Sequence, residues 1–194
     1  MTRHVLLVCS ANVCRSPSAE HLLQRRLRGS VDSEGHDWVV HSAGTSITDA
    51  AIDPNTRRAA ALFGFDLGDH VARTLDASIL AVEGRDLVLT MTREHVREVV
   101  ALDPGAWPRT FTLKEIVRRA SSTSAERAED PAVWLHRLAA GRRAADMVRP
   151  DPIDDIEDPY GHPLREHRDM MATVDELADR LVRLGPWLRR TARV

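Results

Sequence analysis

The residues best suited to chemistry lie in one short stretch near the start of the chain, where a cysteine precedes an arginine by six positions. Cys9 and Arg15 bound the sequence C-S-A-N-V-C-R, which follows an apolar run and precedes a helical pattern of apolar residues. The stretch is therefore predicted to be a tight turn between a strand and a helix, at the edge of an α/β sheet where ligands bind. Because a helix start offers unpaired N–H groups and a partial positive charge, the turn suits an anion.

This turn has the parts needed to hold and attack a phosphoryl group. Its backbone N–H groups can point at one centre, and the Arg15 guanidinium can hold two oxygens of an anion. Those positive groups favour the thiolate of Cys9, the nucleophilic form, to which Ser16 can donate a hydrogen bond. Asn12 tolerates a left-handed backbone, which helps the loop to curl. We expect the whole loop to contact phosphate: Ser10, Ala11, Asn12, Val13, Cys14, Arg15 and Ser16.

The spacing of the loop does not decide its function. Arginine is abundant in this chain, and a cysteine at the end of a strand can equally be a small buried apolar residue.

The composition narrows the class of protein. With 194 residues and a net charge of -2, we expect one domain over 1–194 and neither nucleic acid nor an anionic membrane as partner. The two cysteines and the lack of any bilayer-spanning apolar segment predict a cytoplasmic protein. The oligomeric state is left open.

Strand and helix patterns alternate along the chain, which predicts a parallel sheet with helices on both faces. An Asp-Pro pair marks two helix starts, and T-x-x-E marks a capping box at Thr112. One segment, at about 118–150, is predicted to be an extended helical segment that packs at the periphery. The predicted strands lie at 5–8, 38–40, 87–89 and 110–111. The predicted helices start at Asp53, Arg93, Thr112 and Asp130. The helix that starts at Asp130 is predicted to run to about Met147. The last helix carries an apolar stripe from Met170 to Leu184.

The cysteine loop resembles the signature C-x-G-N-x-C-R-S-P of the low-molecular-weight protein tyrosine phosphatase family, with Ala11 where the family usually has glycine. Three further segments resemble that family in the same order: S-A-G-T at 42–45, G-D-H-V-A-R at 68–73 and E-D-P-Y at 157–160. The resemblance implies a three-layer α/β sandwich with a four-stranded parallel sheet, and a phosphate-binding loop between the first strand and the first helix. It also implies a phosphatase that acts on phosphorylated proteins through a phosphocysteine intermediate, without a cofactor.

The resemblance implies a role for each of several residues. Cys9 is the nucleophile, Arg15 binds the phosphoryl oxygens, and Asp158 protonates the leaving oxygen before it acts as a base toward water. Asp158 is singled out among four loop acids because a proline and an aromatic residue follow it. We interpret most of the others as solvated carboxylates. A hydrogen-bonded network implied by the resemblance supports the loop: Asn12, Ser16, Ser42 and His70.

His162 and His167 are interpreted as facing solvent on the last helix, and no Cys or His cluster in the sequence has metal-ligand spacing. We therefore predict no metal site. Cys14 is either inert filler or a redox partner of Cys9.

The residues that would face the substrate point to more than one kind of substrate. We expect phosphotyrosine, held in a pocket of Val13, Ile47 and Tyr160. The segments 87–92 and 110–115 instead resemble the arginine phosphatases of the family, and Thr92 replaces the aspartate usual in tyrosine phosphatases. An arsenate reductase using an external thiol is a third alternative, and an inactive phosphate-binding module is a fourth.

Overall fold

The sheet that organises the molecule has six strands in the order β5-β4-β1-β3-β2-β6. The computed structural model describes residues 2–46, 50–123 and 129–189. The predicted four-stranded parallel sheet is confirmed by β1, β3, β4 and β5, whereas β2 runs antiparallel to both β3 and β6. The two added strands have two residues each, too short for a period-2 pattern. The strands are β1 Thr2–Cys9, β2 Ser30–Val31, β3 Asp37–Gly44, β4 Leu87–Thr90, β5 Thr110–Thr112 and β6 Leu188–Arg189.

Helices connect the parallel strands and close the fold. They are α1 Arg15–Leu27, α2 Pro54–Leu62, α3 Ala77–Glu83, α4 Arg93–Leu102, α5 Leu113–Ser121, α6 Pro131–Ala139 and α7 Leu164–Leu184. Short 3₁₀ turns lie at Pro104–Arg109 and Ala144–Met147. The predicted caps are confirmed, because Asp53, Thr112 and Asp130 accept backbone N–H groups at the starts of α2, α5 and α6. The seven-residue α3 has no counterpart among the predicted helices.

The segment at 118–150 differs from the expected single extended helix. Helix α6 ends at Ala139 instead of Met147, because the chain turns extended at Ala140 and left-handed at Gly141, which has φ 72°. Trp134 and Leu138 of α6 pack into the same apolar core as α7. Residues 124–128 of this segment lie outside the described part of the chain.

A buried ion pair fixes the return of this segment to the sheet. The Arg142 guanidinium lies 2.8 Å from Glu115 and 4.0 Å from the ring centres of Trp107 and Phe111. It also donates to the carbonyl oxygen of Thr110. The predicted capping box at Thr112 is therefore only half formed, because the Glu115 carboxylate pairs with arginines.

The two faces of β1 set the position of the cysteine. Val5, Leu7 and Cys9 face the larger core with α1 and α7, whereas Leu6 and Val8 face a smaller cluster on the other side. Because parallel strands end at the same edge of a sheet, the loops after β1, β3 and β4 meet there. Within the described ranges, no helix is long and apolar enough to cross a membrane.

Candidate active site

The turn between β1 and α1 is a curled loop. Its backbone carbonyl groups accept hydrogen bonds from the surrounding chain, whereas its backbone N–H groups donate none to the described residues. The carbonyl oxygens of Cys9, Ser10 and Val13 accept N–H groups of residues 45, 46 and 53 at 2.9, 2.9 and 3.2 Å. No acceptor among the described residues serves the backbone N–H groups of residues 11–15, and no side chain caps α1. A ring of unpaired donors of this kind is an anion site.

Backbone geometry explains how the loop closes. Asn12 has φ 56° and is the only non-glycine residue of the described chain with a positive φ. Ala11 is not in the left-handed region, so a side chain is tolerated at the position where the family usually has glycine. The C-terminal end of β3 lies directly against the loop. A Cβ at Gly44 would come within 2.5 Å of the Ser10 carbonyl oxygen, so this close approach requires glycine.

Cys9 lies at the base of the loop, buried, with its Sγ 2.9 Å from the Ser16 hydroxyl oxygen. The Ser16 hydroxyl accepts a 2.8 Å hydrogen bond from the Asn12 amide, so its own proton can be donated to the sulfur. This contact is the one expected to favour a thiolate.

The side chain of Asn12 is the centre of the support network. Its amide nitrogen donates at 2.8 Å to Ser16 and to Ser42. His70 Nε2 lies 3.2 Å from the side-chain oxygen Oδ1 of Asn12 and 3.0 Å from its backbone carbonyl oxygen. His70 is thus a partner of the loop and not a free surface histidine. Two members were absent from the prediction: Glu20, which accepts from Ser42, and Arg73, whose N–H donates to Asn12.

Arg15 is buried and three acceptors surround its two terminal nitrogens. Nη1 donates to the carbonyl oxygen of Ile156 at 3.2 Å, and Nη2 donates to Ser10 Oγ at 3.0 Å and to Asp158 at 2.5 Å. Its Nε is buried and has no hydrogen-bond partner among the residues that the structure describes. Because a buried N–H left unpaired is costly, this donor indicates an anion as the natural occupant of the loop.

Asp158 approaches the loop from the segment before α7. Its other oxygen accepts the N–H of Tyr160, whose side chain is 60% exposed. The segment is held at the sheet edge by the Ile156 N–H, which donates to the carbonyl oxygen of Met91 at 2.8 Å. The contact with Arg15 therefore holds the carboxylate of Asp158 beside the cysteine loop.

Two of the neighbouring acids, Asp154 and Asp155, are not the solvated carboxylates that we expected, whereas Glu157 is exposed as expected. Asp154 is fully buried and binds Arg93 and Arg118 at 2.6 and 2.7 Å. Asp155 accepts the N–H groups of Arg93 and Asp151. They anchor the acid loop, since a carboxylate with several donors fixes the chain around it. Lys114 adds to this anchoring by donating to the carbonyl oxygens of Pro152 and Asp155.

Val13 and Ile47 are two of the three residues that we expected to line the pocket. Val13 is only 2% exposed, so it offers almost no surface until its neighbours are displaced. Ile47 lies outside the described residues. Their roles in the pocket therefore stay predictions, as does the role of Tyr160, whose side chain is exposed.

His95 belongs to the site although no sequence pattern singled it out. Its Nε2 lies 3.0 Å from Ser10 Oγ and its Nδ1 lies 2.8 Å from Thr92 Oγ1. Burial, with a smaller contribution from the charge of Arg15, lowers the pKa of His95 to about 3. The ring is therefore neutral at physiological pH.

This pKa predicts a specific dependence of stability on pH. Below pH 6.5 the unfolded chain binds a proton at position 95 that the folded chain does not bind, down to about pH 3. The free energy of unfolding should therefore fall with acid by up to about 1.4 kcal/mol per pH unit from this group, and its contribution is complete above pH 6.5. The free energy of unfolding, measured by urea titration at several pH values, should fall with acid more steeply in wild type than in His95→Gln, by this slope. Equal slopes would contradict the lowered pKa.

His167 is buried on α7, contrary to the expectation that it faces solvent. Its Nδ1 lies 2.8 Å from Thr56 Oγ1, and its Nε2 lies 3.2 Å from the carbonyl oxygen of His162. With Cys14 and Asp53 it forms a group whose donor atoms lie within 4.8 Å of one another, and Asp32, Glu34 and His36 form a second such group. The first group has ligand types that suit a metal ion, although spacing along the chain did not reveal it. His162 precedes α7 and is exposed.

Comparison with known proteins agrees with this arrangement. The Etp low molecular weight protein-tyrosine-phosphatase of Escherichia coli K12 is 38% identical over 102 residues, covering 52% of this chain and 62% of Etp. The match thus spans less than two thirds of that relative. The probable phosphatase EpsP of Ralstonia solanacearum is 33% identical over 117 residues, covering 60% of this chain and 74% of EpsP.

Solved structures share the fold over nearly the whole chain. The tyrosine phosphatase AmsI of Erwinia amylovora has a TM-score of 0.67 at 22% identity, covering 95% of this chain and 94% of AmsI. The YwlE arginine phosphatase of Geobacillus stearothermophilus has a TM-score of 0.66 at 26% identity, covering 93% and 91%. The sequence profile of the family described as low molecular weight phosphotyrosine protein phosphatase matches residues 4–136. Since that match covers more than half of the sequence, the chain belongs to this family.

Proposed function

We propose that the protein is a phosphatase that hydrolyses phosphotyrosine in protein substrates through a phosphocysteine intermediate. The observation that carries the proposal is the loop around Cys9, where unpaired N–H groups and the unpaired Nε of Arg15 surround a buried thiol. A phosphate dianion supplies acceptors to both sets of donors. The thiol at the base of the loop then lies on the side of the phosphorus opposite the leaving group.

The reaction follows from the groups at the site. In the first step the Cys9 thiolate attacks phosphorus, an S–P bond forms and the P–O bond to the leaving group breaks. Asp158, which takes a proton from solvent once its ion pair with Arg15 has broken, gives that proton to the departing oxygen. In the second step Asp158 accepts a proton from water, the oxygen of which attacks phosphorus, and the S–P bond breaks. The thiolate is regenerated beside the Ser16 hydroxyl, which stabilises its charge.

The ion pair between Arg15 and Asp158 gives the acid a resting position. In the empty site the carboxylate accepts from Nη2 at 2.5 Å. A phosphate dianion competes for the same guanidinium and carries more charge, so its binding releases Asp158. The acid is then free to reach the leaving oxygen only when substrate is in the loop.

Support for a tyrosine substrate comes from the walls and from the named relatives. Tyr160 offers an exposed ring, and aromatic pairs gain about 0.5–1.5 kcal/mol beyond burial. Etp and EpsP carry the name of tyrosine phosphatases. Phosphoarginine is the second candidate, because an arginine phosphatase is among the similar structures. With one aromatic wall, we expect modest phosphotyrosine activity that still exceeds phosphoarginine activity.

Side-by-side assays on phosphotyrosine and phosphoarginine peptides test this choice. Wild type should prefer phosphotyrosine, and Val13→Thr should shift the ratio of the two kcat/KM values toward phosphoarginine, since a hydroxyl suits a polar group better. Val40→Thr, an equally buried change in β3, controls for the cost of burying a hydroxyl. A wild-type preference for phosphoarginine would replace the tyrosine proposal with its alternative.

The redox role of Cys9 and Cys14 stays a prediction. Both are free and buried, which fits the reducing cytoplasm. Burial raises the pKa of the Cys14 thiol to about 12, so it is protonated at neutral pH. Since a thiolate is the attacking form, Cys14 should resolve an oxidised Cys9 slowly.

A further inference from the structure

We propose that His95 is a positioning residue that acts through Ser10 to hold the Arg15 guanidinium in place for the phosphoryl group. The inference rests on the proposed phosphatase function and adds to it a residue from outside the loop. His95 lies on the first turn of α4, and two consecutive hydrogen bonds, through Ser10, link it to the arginine.

The contacts form a continuous chain. Thr92 is the N-cap of α4, and its Oγ1 accepts the backbone N–H of His95 at 3.3 Å while lying 2.8 Å from Nδ1. On the other side of the ring, Nε2 lies 3.0 Å from Ser10 Oγ. Ser10 Oγ accepts from Arg15 Nη2, also at 3.0 Å. The His95 side chain is 3% exposed, so water does not compete for these bonds.

One arrangement of protons gives every hydrogen bond in this series a donor and an acceptor. The hydroxyl proton of Thr92 has Nδ1 as its only acceptor among the described residues, so Nδ1 accepts and the neutral ring carries its proton on Nε2. Nε2 then donates to Ser10 Oγ, which accepts from Arg15 as well. Both lone pairs of the serine oxygen are used. Its own proton is left free for an oxygen of a bound anion.

The support that His95 gives to Arg15 through Ser10 is needed when Asp158 moves away from the guanidinium. Of the three acceptors around the terminal nitrogens of Arg15, Asp158 has to withdraw in order to protonate the leaving group. The carbonyl oxygen of Ile156 and the hydroxyl of Ser10 remain. The carbonyl is fixed by the backbone, whereas a serine hydroxyl rotates unless a donor holds it. His95 supplies that donor and stays uncharged, so it does not repel the guanidinium.

A double-mutant cycle on Ser10 and His95 tests the chain. His95→Leu removes the donor at similar volume, and His95→Gln keeps an N–H near the position of Nε2. We expect His95→Leu and Ser10→Ala each to lower kcat/KM for p-nitrophenyl phosphate, and to weaken binding of inorganic phosphate in calorimetry, by about tenfold. The double variant should lose little more than either single variant, and His95→Gln should recover most of the loss.

Other outcomes overturn the inference. Multiplied losses in the double variant would show that His95 and Ser10 contribute independently, and equal losses for His95→Leu and His95→Gln would show that the donor at Nε2 does not matter. If thermal melting shows that His95→Leu does not fold, His95→Asn takes its place, because its shorter side chain cannot reach Ser10. A wild-type protein without turnover would instead contradict the proposed function. Phosphate binding would still test the His95 chain in that case, and unchanged binding in the variants would contradict it.

Discussion

Cys9→Ser is expected to abolish turnover of p-nitrophenyl phosphate while leaving the binding of inorganic phosphate largely intact. The serine hydroxyl is a far weaker nucleophile than the thiolate, so the rate should fall by several orders of magnitude. The donors that hold phosphate are backbone N–H groups and Arg15, and none belongs to the cysteine side chain. Steady-state kinetics and calorimetry with phosphate measure the two properties separately.

The other cysteine of the loop provides the matched control. Cys14→Ser makes the same atomic change, but the Cys14 side chain packs behind the loop near Asp53 and His167. It should retain much more turnover than Cys9→Ser. Comparable losses in both variants, or loss of phosphate binding in Cys9→Ser, would mean that the serine damages the loop and that Cys9 is not the specific nucleophile.

Asp158→Asn is expected to slow hydrolysis strongly for poor leaving groups and weakly for good ones. An alkoxide or a phenolate of high pKa needs a proton as it departs, whereas p-nitrophenolate leaves without one. The loss for phenyl phosphate should therefore reach about 10²–10⁴-fold. The same change removes the ion pair with Arg15, so phosphate binding should become tighter.

Glu157→Gln is the control for this prediction, because Glu157 is the adjacent exposed carboxylate. It should leave the dependence on the leaving group unchanged. If Asp158→Asn slows phenyl phosphate and p-nitrophenyl phosphate equally, Asp158 is not the proton donor. If phosphate binding weakens in Asp158→Asn, the competition between Asp158 and phosphate for Arg15 is wrong.

The parts of the fold that sequence predicted are those with local causes. Caps at Asp53, Thr112 and Asp130 act within four residues, and the parallel strands are short apolar runs. The end of α6 at Ala139 was missed because Ala140 and Gly141 leave the helix while helix-forming residues continue beyond them. The strands β2 and β6 depend on pairing between distant residues, which a local pattern does not contain.

The site shows the same division. The loop from Cys9 to Ser16 is contiguous, so its residues could be recognised from the sequence alone as a candidate anion site. His95 is 85 positions from Ser10, and the contact exists only because β1 and β4 are neighbours in the sheet. Asp154 was expected to be solvated, because its partners Arg93 and Arg118 lie 61 and 36 positions away. The buried position of His167 likewise depends on α2 packing against α7.

Trapping the phosphoenzyme tests the mechanism most directly. Wild-type protein is mixed with p-nitrophenyl phosphate, quenched during turnover, digested and analysed by mass spectrometry under conditions that preserve thiophosphate bonds. Asp158→Asn is measured alongside, because loss of the base for the second step should increase the trapped fraction. One phosphoryl group on the peptide that contains Cys9, localised to Cys9 by fragmentation, is the predicted result. Steady turnover with no phosphoryl group on Cys9 in either protein would contradict the phosphocysteine route.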